Sequence, residues 1–480
     1  MHKIITRRKF LNDLAVQVSG FVALPSLATL LYNGRALAAN ACAKPQAINK
    51  NSPAFIALDL QGGASIAGNN LMVYDNGGEL LSDYRGLGLP PDLHPSKTGM
   101  LNSELGLPFH AYSPMLKGIK SVATPAVLAK VNGCVICTQS ADDTSNNRLA
   151  TAPGIFLAGV SGKIVPLVGT NPSFPGGSGG NSVTPFSSGV TPALISDIKS
   201  AQQLISAGEF WARSPQKMAG VLALIEGMSS AQLKRFSQLS LPEQARKMIE
   251  CGYLDAAALL DPNRSDSGVV TADNLDPNKH EALRGKSFIN DQQFAAAIEI
   301  AYLIMEGYAG AGTIALGGYD YHDGSATTGE ERDEQAGKVI GIILAMAAAL
   351  KRKTMLHVYT DGGVDADSNR LEEVGNNGAQ KYIWRGDSEA RSAAFVLIYD
   401  PNARPAVSFQ QLGAYKANDG GTVNLTPEKH AKISQAPIAQ AAAVLANWLA
   451  WQGKEGELNT IMKDSPLRPE EVEDYLFVRK

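Results

Sequence analysis

The sequence predicts an α/β fold in which a mostly parallel β-sheet is flanked by helices. Short apolar runs bounded by Gly and Pro, at residues 54–58 and 133–138, are typical of buried strands. Further along the chain, residues 313–316, 330–352 and 355–360 have the patterns of a strand, a helix and a strand in turn. Because such a βαβ unit places its two strands parallel, these observations together predict a parallel sheet.

The remaining elements follow in chain order. Residues 171–192 are rich in Gly, Pro and Ser, which is typical of a long exposed loop. Amphipathic spacing then predicts a mainly helical insertion over residues 193–300. A further strand at residues 394–399 and a terminal helix at residues 437–451 complete the α/β pattern.

The long helix of the βαβ unit carries signals for both of its ends. Thr328 is followed three residues later by Glu331, the spacing of a capping box. Lys351, Arg352 and Lys353 lie where the helix dipole favours cations. We therefore expect the helix to begin and end close to these residues.

The N-terminus has the features of an export signal. Residues 6–11 read TRRKFL, which matches the twin-arginine pattern, and an interrupted apolar stretch follows at residues 14–31. Residues 36–38 then supply a small-x-small cleavage site. These features predict a signal peptide at residues 1–38 and a mature domain at residues 39–480. The chain is therefore expected to use the twin-arginine translocation machinery, to be periplasmic or secreted, and to have no permanent membrane anchor.

Composition limits the classes of partner. The 480 residues are 44% hydrophobic and 19% charged, as in ordinary globular proteins. Removal of residues 1–38 takes away five basic residues and one acidic residue, so the formal net charge changes from -3 to -7. An acidic mature chain without a basic stripe argues against a nucleic-acid partner.

The cysteine count permits disulfides without establishing them. Four cysteines remain in the mature chain, which are Cys42, Cys134, Cys137 and Cys251. Cys134 and Cys137 have the CxxC spacing, for which a redox pair, a structural disulfide and two buried thiols are all possible interpretations.

Three predicted strands run into an acidic residue. Asp59 follows the first strand, Asp320 and His322 follow the strand at residues 313–316, and Asp361 follows the strand at residues 355–360. The C-terminal ends of parallel strands lie along one edge of a sheet, where open α/β proteins bind ligands. Carboxylates and an imidazole at that edge suit a divalent metal, although Asp and Gly also end many strands for purely structural reasons.

These segments resemble a known family. In order along the chain, TRRKFL, LDLQGGASIAGNNLMVYD, TQSADDTSNN, LGGYDYHDG and VYTDGG resemble the exported bacterial family catalogued as domain of unknown function 1501. The resemblance covers most of the mature chain, and residues 317–322 are its most specific part. That family is grouped with the alkaline-phosphatase-like superfamily, whose α/β members hydrolyse phosphate or sulfate esters at a metal pair.

The resemblance implies roles for particular residues. Asp59, Asp320, His322 and Asp361 match metal-ligand positions, and Ser140 or Thr144 stands where a nucleophile would lie. The expected function is therefore hydrolysis of a small-molecule phosphate or sulfate ester with a divalent metal ion, for which zinc, calcium and magnesium are the alternatives.

The chain also departs from the superfamily pattern. Gly362 stands where a histidine usually follows the last acidic residue, and the chain has only seven histidines, of which His94 and His110 lie on loops that could fold back. The alternative function is an exported assembly or secretion accessory protein that keeps the fold without catalysis.

Two further motifs carry less weight. Gly176, Ser178 and Gly180 spell G-x-S-x-G, but no strand leads into them. The sequence from Asp365 partly matches a calcium-binding loop, but Arg370 replaces the Gly that such a loop requires, so an EF-hand is excluded.

Overall fold

The computed structural model of the chain describes residues 52–139, 151–160, 162, 165–170, 192–201, 204, 292–321, 323–360, 362–375, 379–418, 423–426, 430–435 and 437–479. The predicted signal peptide at residues 1–38, most of the loop at residues 171–192 and most of the helical insertion at residues 193–300 lie outside the described residues. Those three assignments stay predictions.

Fourteen strands occur in the described residues. They are β1 (Ala54–Gly62), β2 (Leu101–Asn102), β3 (Phe109–His110), β4 (Val131–Cys137), β5 (Val165–Gly169), β6 (Ala193–Leu194), β7 (Ala309–Tyr319), β8 (Thr354–Thr360), β9 (Val364–Val374), β10 (Ala379–Asp387), β11 (Ala393–Tyr399), β12 (Gln411–Leu412), β13 (Ala414–Ala417) and β14 (Val423–Thr426).

Eight α-helices separate these strands in the same part of the chain. They are α1 (Pro114–Val122), α2 (Pro125–Leu128), α3 (Ala152–Leu157), α4 (Gln292–Met305), α5 (Thr327–Ala349), α6 (Ala431–Gln435), α7 (Pro437–Ala450) and α8 (Leu458–Ile461). None of these described helices is long and apolar enough to cross a membrane.

Eight strands form one sheet in the order β12, β4, β11, β8, β1, β7, β5, β6. Every neighbouring pair is parallel except the two pairs that contain β11, which runs antiparallel to both β4 and β8. The predicted α/β fold with a mostly parallel sheet is therefore confirmed. The βαβ unit made of β7, α5 and β8 passes over β1, because β1 lies between its two strands.

Two apolar layers cover the two faces of the sheet, and β1 shows why. Its side chains alternate in direction as in any strand. Ile56, Leu58 and Leu60 belong to the layer that contains α1, α4 and α5. Phe55 and Ala57 belong to the layer that contains α7. A sheet buried on both faces explains why the sequence of β1 is a nearly continuous apolar run.

Helices α1 and α5 cross at two glycines. A Cβ atom added to Gly118 would lie 2.2 Å from the carbonyl oxygen of Glu334, and one added to Gly337 would lie 2.0 Å from that of Met115. Both distances are far inside van der Waals contact. The backbones of the two helices therefore touch, and any larger residue at either position would force them apart.

The start of α5 differs from the prediction. The helix begins at Thr327, and Thr328 and Glu331 do not form a capping box, since the Thr328 N–H donates to Ser325 Oγ at 3.3 Å. The Ala326 N–H donates to Glu372 Oε2 at 2.6 Å, and the Thr327 hydroxyl donates to Glu372 Oε1. A carboxylate from β9 is thus the cap, which local sequence spacing does not reveal.

Candidate functional site

The C-terminal ends of β8, β1 and β7 lie side by side at one edge of the sheet. Leu60 of β1 is opposite Leu316 of β7 and Thr360 of β8. Since all three strands are parallel, the residues that follow them emerge together. The predicted meeting of three strand ends at one edge is therefore present, and it defines the candidate site.

Asp59 lies inside β1, before the edge is reached. Its side chain is on the same face as Phe55 and Ala57, and the residue is 1% exposed. Gln61 Nε2 donates a hydrogen bond to Asp59 Oδ2 at 3.4 Å. A carboxylate withdrawn from water in this way requires compensating partners, and a bound cation is one such partner.

Asp320 lies at the outer end of β7 and is exposed, whereas its neighbours Tyr319 and Tyr321 are each 1% exposed. Asp59 is opposite Ala315, and Gly62 is opposite Tyr319. Tyr319, which directly precedes Asp320, is therefore about 10 Å further along the strand direction than Asp59 at the usual rise per residue. The structure brings both carboxylates to one edge but leaves Asp59 deeper than Asp320.

The other two predicted ligands, His322 and Asp361, lie outside the described residues. Their neighbours in the chain, Tyr321 and Thr360, are buried at the candidate site. Within the described residues no group of three or more His, Cys, Asp and Glu side chains is arranged to hold a metal ion. The described donors, Asp59 and Asp320, are carboxylates, which suit hard divalent cations.

Backbone contacts tie the three strand ends together. A Cβ atom on Gly62, whose φ is +127°, would lie 2.1 Å from the backbone nitrogen of Asp320. The Gly63 N–H donates to the carbonyl oxygen of Tyr319 at 2.9 Å. The Thr360 hydroxyl donates to the Leu60 carbonyl oxygen at 2.9 Å and accepts from the backbone N–H of Ala64 at 3.0 Å. Glycine is therefore required at position 62 for β1 to approach the segment that carries Asp320.

A buried carboxylate that the sequence analysis missed lies behind this edge. Asp333 of α5 has no exposed surface. Its Oδ2 accepts hydrogen bonds from Ser65 Oγ at 2.7 Å and Asn70 Nδ2 at 2.7 Å, and its Oδ1 accepts one from the Tyr321 hydroxyl at 3.1 Å. Burial raises the pKa of Asp333 to about 6, although these hydrogen bonds act to lower it.

The sequence contained one signal of Asp333. Ala336, Gly337 and Ile340 lie three, four and seven positions after it, and all are buried. Asp333 is therefore an acidic residue on the apolar stripe of a helix, where a charged side chain is kept only with partners.

Lys381 of β10 joins the same network. Its Nζ donates to Asn69 Oδ1 at 2.7 Å, to the carbonyl oxygen of Tyr112 at 2.9 Å and to Glu330 Oε1 at 2.7 Å. Asn69 Nδ2 in turn donates to Ser65 Oγ at 3.0 Å. We call the set of Ser65, Asn69, Asn70, Tyr321, Glu330, Asp333 and Lys381 the polar network.

The described histidines all have other partners. His94 and His110 do not fold back to the site, because the Nε2 atoms of both rings lie within 3.0 Å of the backbone carbonyls of Leu81 and Leu93. His357 lies inside β8 and is a buried core histidine. Burial lowers the pKa of His110 to about 4 and that of His357 to about 3, so both are neutral at pH 7. The ring of His357 forms hydrogen bonds with the side chains of Thr151 and Gln440. The ring of His430 accepts a hydrogen bond from the backbone N–H of Gly413.

The predicted nucleophiles, Ser140 and Thr144, lie outside the described residues. They follow β4, which runs in the same direction as β8 but is separated from it by β11. The end of β4 is therefore roughly 10 Å from the end of β8 at the usual strand spacing.

The CxxC pair consists of two buried thiols. Neither Cys134 nor Cys137 forms a disulfide, and the two belong to the apolar layers on opposite faces of the sheet. A disulfide or redox pair made from these two residues is therefore wrong, because side chains three apart in a strand point in opposite directions. Burial also raises the pKa of Cys134, which keeps it in the unreactive thiol form.

The segment that partly matches a calcium-binding loop is a strand. Asp365, Asp367 and Asn369 lie in β9, which pairs with β10, and Asp365 forms an ion pair with Arg391. The G-x-S-x-G residues 176–180 lie outside the described residues.

Comparison with known proteins adds no family assignment. No protein-family model matches the chain, and no curated protein matches it either. The chain is therefore an α/β protein whose likeness to the family of domain of unknown function 1501 stays a prediction from its motifs.

Proposed function

We propose that the protein is a metal-dependent hydrolase of phosphate or sulfate esters with an alkaline-phosphatase-like fold. The observation that carries the proposal is the parallel arrangement of β8, β1 and β7, which brings Asp59, Asp320 and the described neighbours of the other two predicted ligands, Tyr321 and Thr360, to one edge of the sheet. Asp320, His322 and Asp361 would hold an ion at the rim. Asp59 lies deeper and would serve the second ion of the metal pair that the family resemblance implies.

A divalent ion at this edge would supply positive charge that neutralises the ester's anionic oxygens and activates a hydroxyl nucleophile. The chain's own contribution is to present carboxylates at fixed positions. Asp59 is excluded from water, which strengthens its attraction for a cation, and Asp320 is open to an incoming substrate. Ser140 and Thr144 remain the proposed nucleophiles.

Metal content and ester hydrolysis of the mature protein test this function. The purified protein is expected to retain a divalent metal after dialysis and to hydrolyse p-nitrophenyl phosphate or p-nitrophenyl sulfate. Asp320→Ala and His322→Ala should each lower kcat/KM at least about 100-fold, since each removes a ligand. Asp92→Ala, which removes an exposed carboxylate paired with Lys97, is the matched control and should leave kcat/KM unchanged.

The second candidate is an exported accessory protein without catalysis. This candidate is favoured because the described histidines add no imidazole to the edge. Their rings have other partners, as is the case for His94, His110, His357 and His430. A wild-type protein that binds no metal and hydrolyses neither ester would support this candidate and sink the hydrolase.

We also propose export by the twin-arginine pathway, which rests on the TRRKFL motif. Replacement of Arg7 and Arg8 by lysine should retain the precursor in the cytoplasm, as measured by cell fractionation. Continued export of the double variant would contradict this route.

A further inference from the structure

We propose that Asp333 and Tyr321 are positioning residues that fix the backbone next to Asp320, so that its carboxylate is presented in one place. This inference rests on the proposed function, because it assigns a purpose to the fixed position of a predicted metal ligand. It concerns residues to which the family motif assigns no role, since Asp333 lies on α5 and reaches the segment of Asp320 through its hydrogen bond with Tyr321.

The Tyr321 hydroxyl is held from two sides. It donates to Asp333 Oδ1 at 3.1 Å and accepts a hydrogen bond from the backbone N–H of Ser65. Asp333 belongs to a helix and Ser65 to the segment that follows β1. The hydroxyl thus joins α5 to the segment that follows β1, on the side of the backbone opposite the exposed Asp320.

The aromatic ring of Tyr321 is held as tightly as its hydroxyl. The ring centroids of Tyr321 and Trp384 are 6.0 Å apart at an angle of 53°. Gly329 in the first turns of α5 packs on both rings, and a Cβ there would lie 2.9 Å from Tyr321 Cε2. The side chain adjacent to Asp320 therefore has no room to move sideways.

The chain before Asp320 is restrained at Tyr319, whose hydroxyl donates to the carbonyl oxygen of Arg332 at 2.8 Å, but the two residues before Tyr319 are not held in this way. Gly317 and Gly318 are both exposed, and Gly318 has a φ of +87°, so the backbone there has the freedom that only glycine allows. β7 also carries an extra residue at this point relative to β1, which makes a bulge. Tyr321 thus supplies the fixed point on the other side of Asp320.

The remaining hydrogen bonds of Asp333 make the anchor rigid. Asn70 and Ser65 occupy its second oxygen, and Asn69 connects Ser65 to the ammonium of Lys381. A ligand side chain whose support is held by packing and by several hydrogen bonds is preorganised for binding. The polar network therefore supports the edge of the sheet that carries the predicted metal ligands.

Two variants and one matched control test the inference. Tyr321→Phe removes only the bridging hydroxyl, and Asp333→Asn replaces one of the two accepting oxygens by an NH₂ group that donates, so the three hydrogen bonds can no longer all be accepted. Tyr84→Phe is the control, because Tyr84 is also 1% exposed and its hydroxyl donates to the Val73 carbonyl oxygen at 2.6 Å, outside the polar network. Should Asp333→Asn fail to fold, Tyr321→Phe keeps the test intact.

Hydrogen exchange of the metal-free protein is the first measurement. Amides of residues 316–321 should exchange faster in Tyr321→Phe and Asp333→Asn than in the wild type, and at the wild-type rate in Tyr84→Phe. Titration with Zn²⁺ alone by calorimetry is the second, and both network variants should bind about 10- to 100-fold more weakly, as for other residues that orient metal ligands.

The outcomes separate this inference from the proposed function. Unchanged exchange at residues 316–321 in both network variants would overturn the anchor, and so would unchanged Zn²⁺ affinity in Tyr321→Phe if the wild type binds Zn²⁺. If the wild type binds none of Zn²⁺, Mg²⁺ and Ca²⁺, the proposed function fails, whereas faster exchange confined to the two network variants still supports the anchor.

Discussion

The ammonium of Lys381 lies 2.7 Å from Glu330 Oε1, and the lysine side chain is 1% exposed. One residue comes from β10 and the other from the first turn of α5. Because Asn69 and Tyr112 accept the other two hydrogen bonds, the buried charge has three oxygen partners. The hairpin of β9 and β10 is thereby tied to the helix that carries Asp333.

Lys381→Met should lower the free energy of unfolding by about 3–5 kcal/mol, because it leaves Glu330 without its buried cationic partner. Lys338→Met is the matched control. Lys338 pairs with Glu334 on the same helix, but their side chains are 30% and 25% exposed, so that loss should be about 0–1 kcal/mol. Urea unfolding measures both, and equal losses would contradict the assignment of Lys381 to the core.

Asp333 should make the stability of the protein depend on pH. Burial raises its pKa to about 6 in the folded state, against about 3.9 in an unfolded chain. Between these values the folded state holds a proton that the unfolded state has released. The stabilising contribution is therefore complete below about pH 4 and is lost as the pH rises through 6, a change of about 3 kcal/mol.

Asp333→Asn cannot titrate at this position. The free energy of unfolding of the wild type minus that of the variant, both measured with urea, should therefore decrease between about pH 4 and pH 7. Asp92→Asn is the control, because the hydrogen bond from Lys97 lowers the pKa of Asp92, so its contribution to stability changes only below about pH 4 and its difference from wild type should be constant between about pH 4 and pH 7. A difference between wild type and Asp333→Asn that is constant across this range would show that Asp333 does not titrate there.

Gly62→Ala should destabilise the protein by about 3 kcal/mol or more, since the new methyl would overlap the backbone of Asp320 at a strained φ. Gly78→Ala is the matched control. Its φ is +83°, but nothing lies within 4 Å of the added atom, so it carries only the backbone strain of about 1 kcal/mol. Thermal unfolding compares the two, and a Gly62→Ala protein as stable as Gly78→Ala would refute the close approach of β1 and β7.

Glu372→Gln tests the cap of α5. We expect a loss of about 1 kcal/mol in the free energy of unfolding, because an ionised acceptor at a helix N-terminus is replaced by a neutral one. The neighbouring Glu373→Gln removes the same charge from an exposed position, where the change should stay within about 0.5 kcal/mol. Equal losses in the free energy of unfolding for both variants, measured with urea, would show that Glu372 does not cap α5.

Much of the sheet could be predicted because its strands are apolar on both faces. The predicted strands at residues 54–58, 133–138, 355–360 and 394–399 overlap β1, β4, β8 and β11, and their end points coincide with the observed ones or differ by up to four residues. Their order in the sheet, and the antiparallel direction of β11, depend on contacts between distant segments that no local pattern records.

The polar network and the β9–β10 hairpin were not predicted, for a related reason. Lys381 and Asp333 look like surface residues in sequence, and only their mutual burial with Asn69 gives them a role. The cap of α5 was predicted from Thr328 and Glu331, whereas the distant Glu372 performs it. Local rules fail wherever a tertiary contact supplies the missing partner.

The touching backbones at Gly118 and Gly337 also constrain how this chain can evolve. Each glycine excludes a side chain through atoms of the opposite helix, because a Cβ atom added to Gly118 would lie 2.9 Å from the Cα atom of Gly337, and one added to Gly337 would lie 3.0 Å from the Cα atom of Gly118. No substitution at one position can compensate for a larger residue at the other. Natural variants that keep this helix crossing should therefore retain both glycines, while the residues around them drift independently.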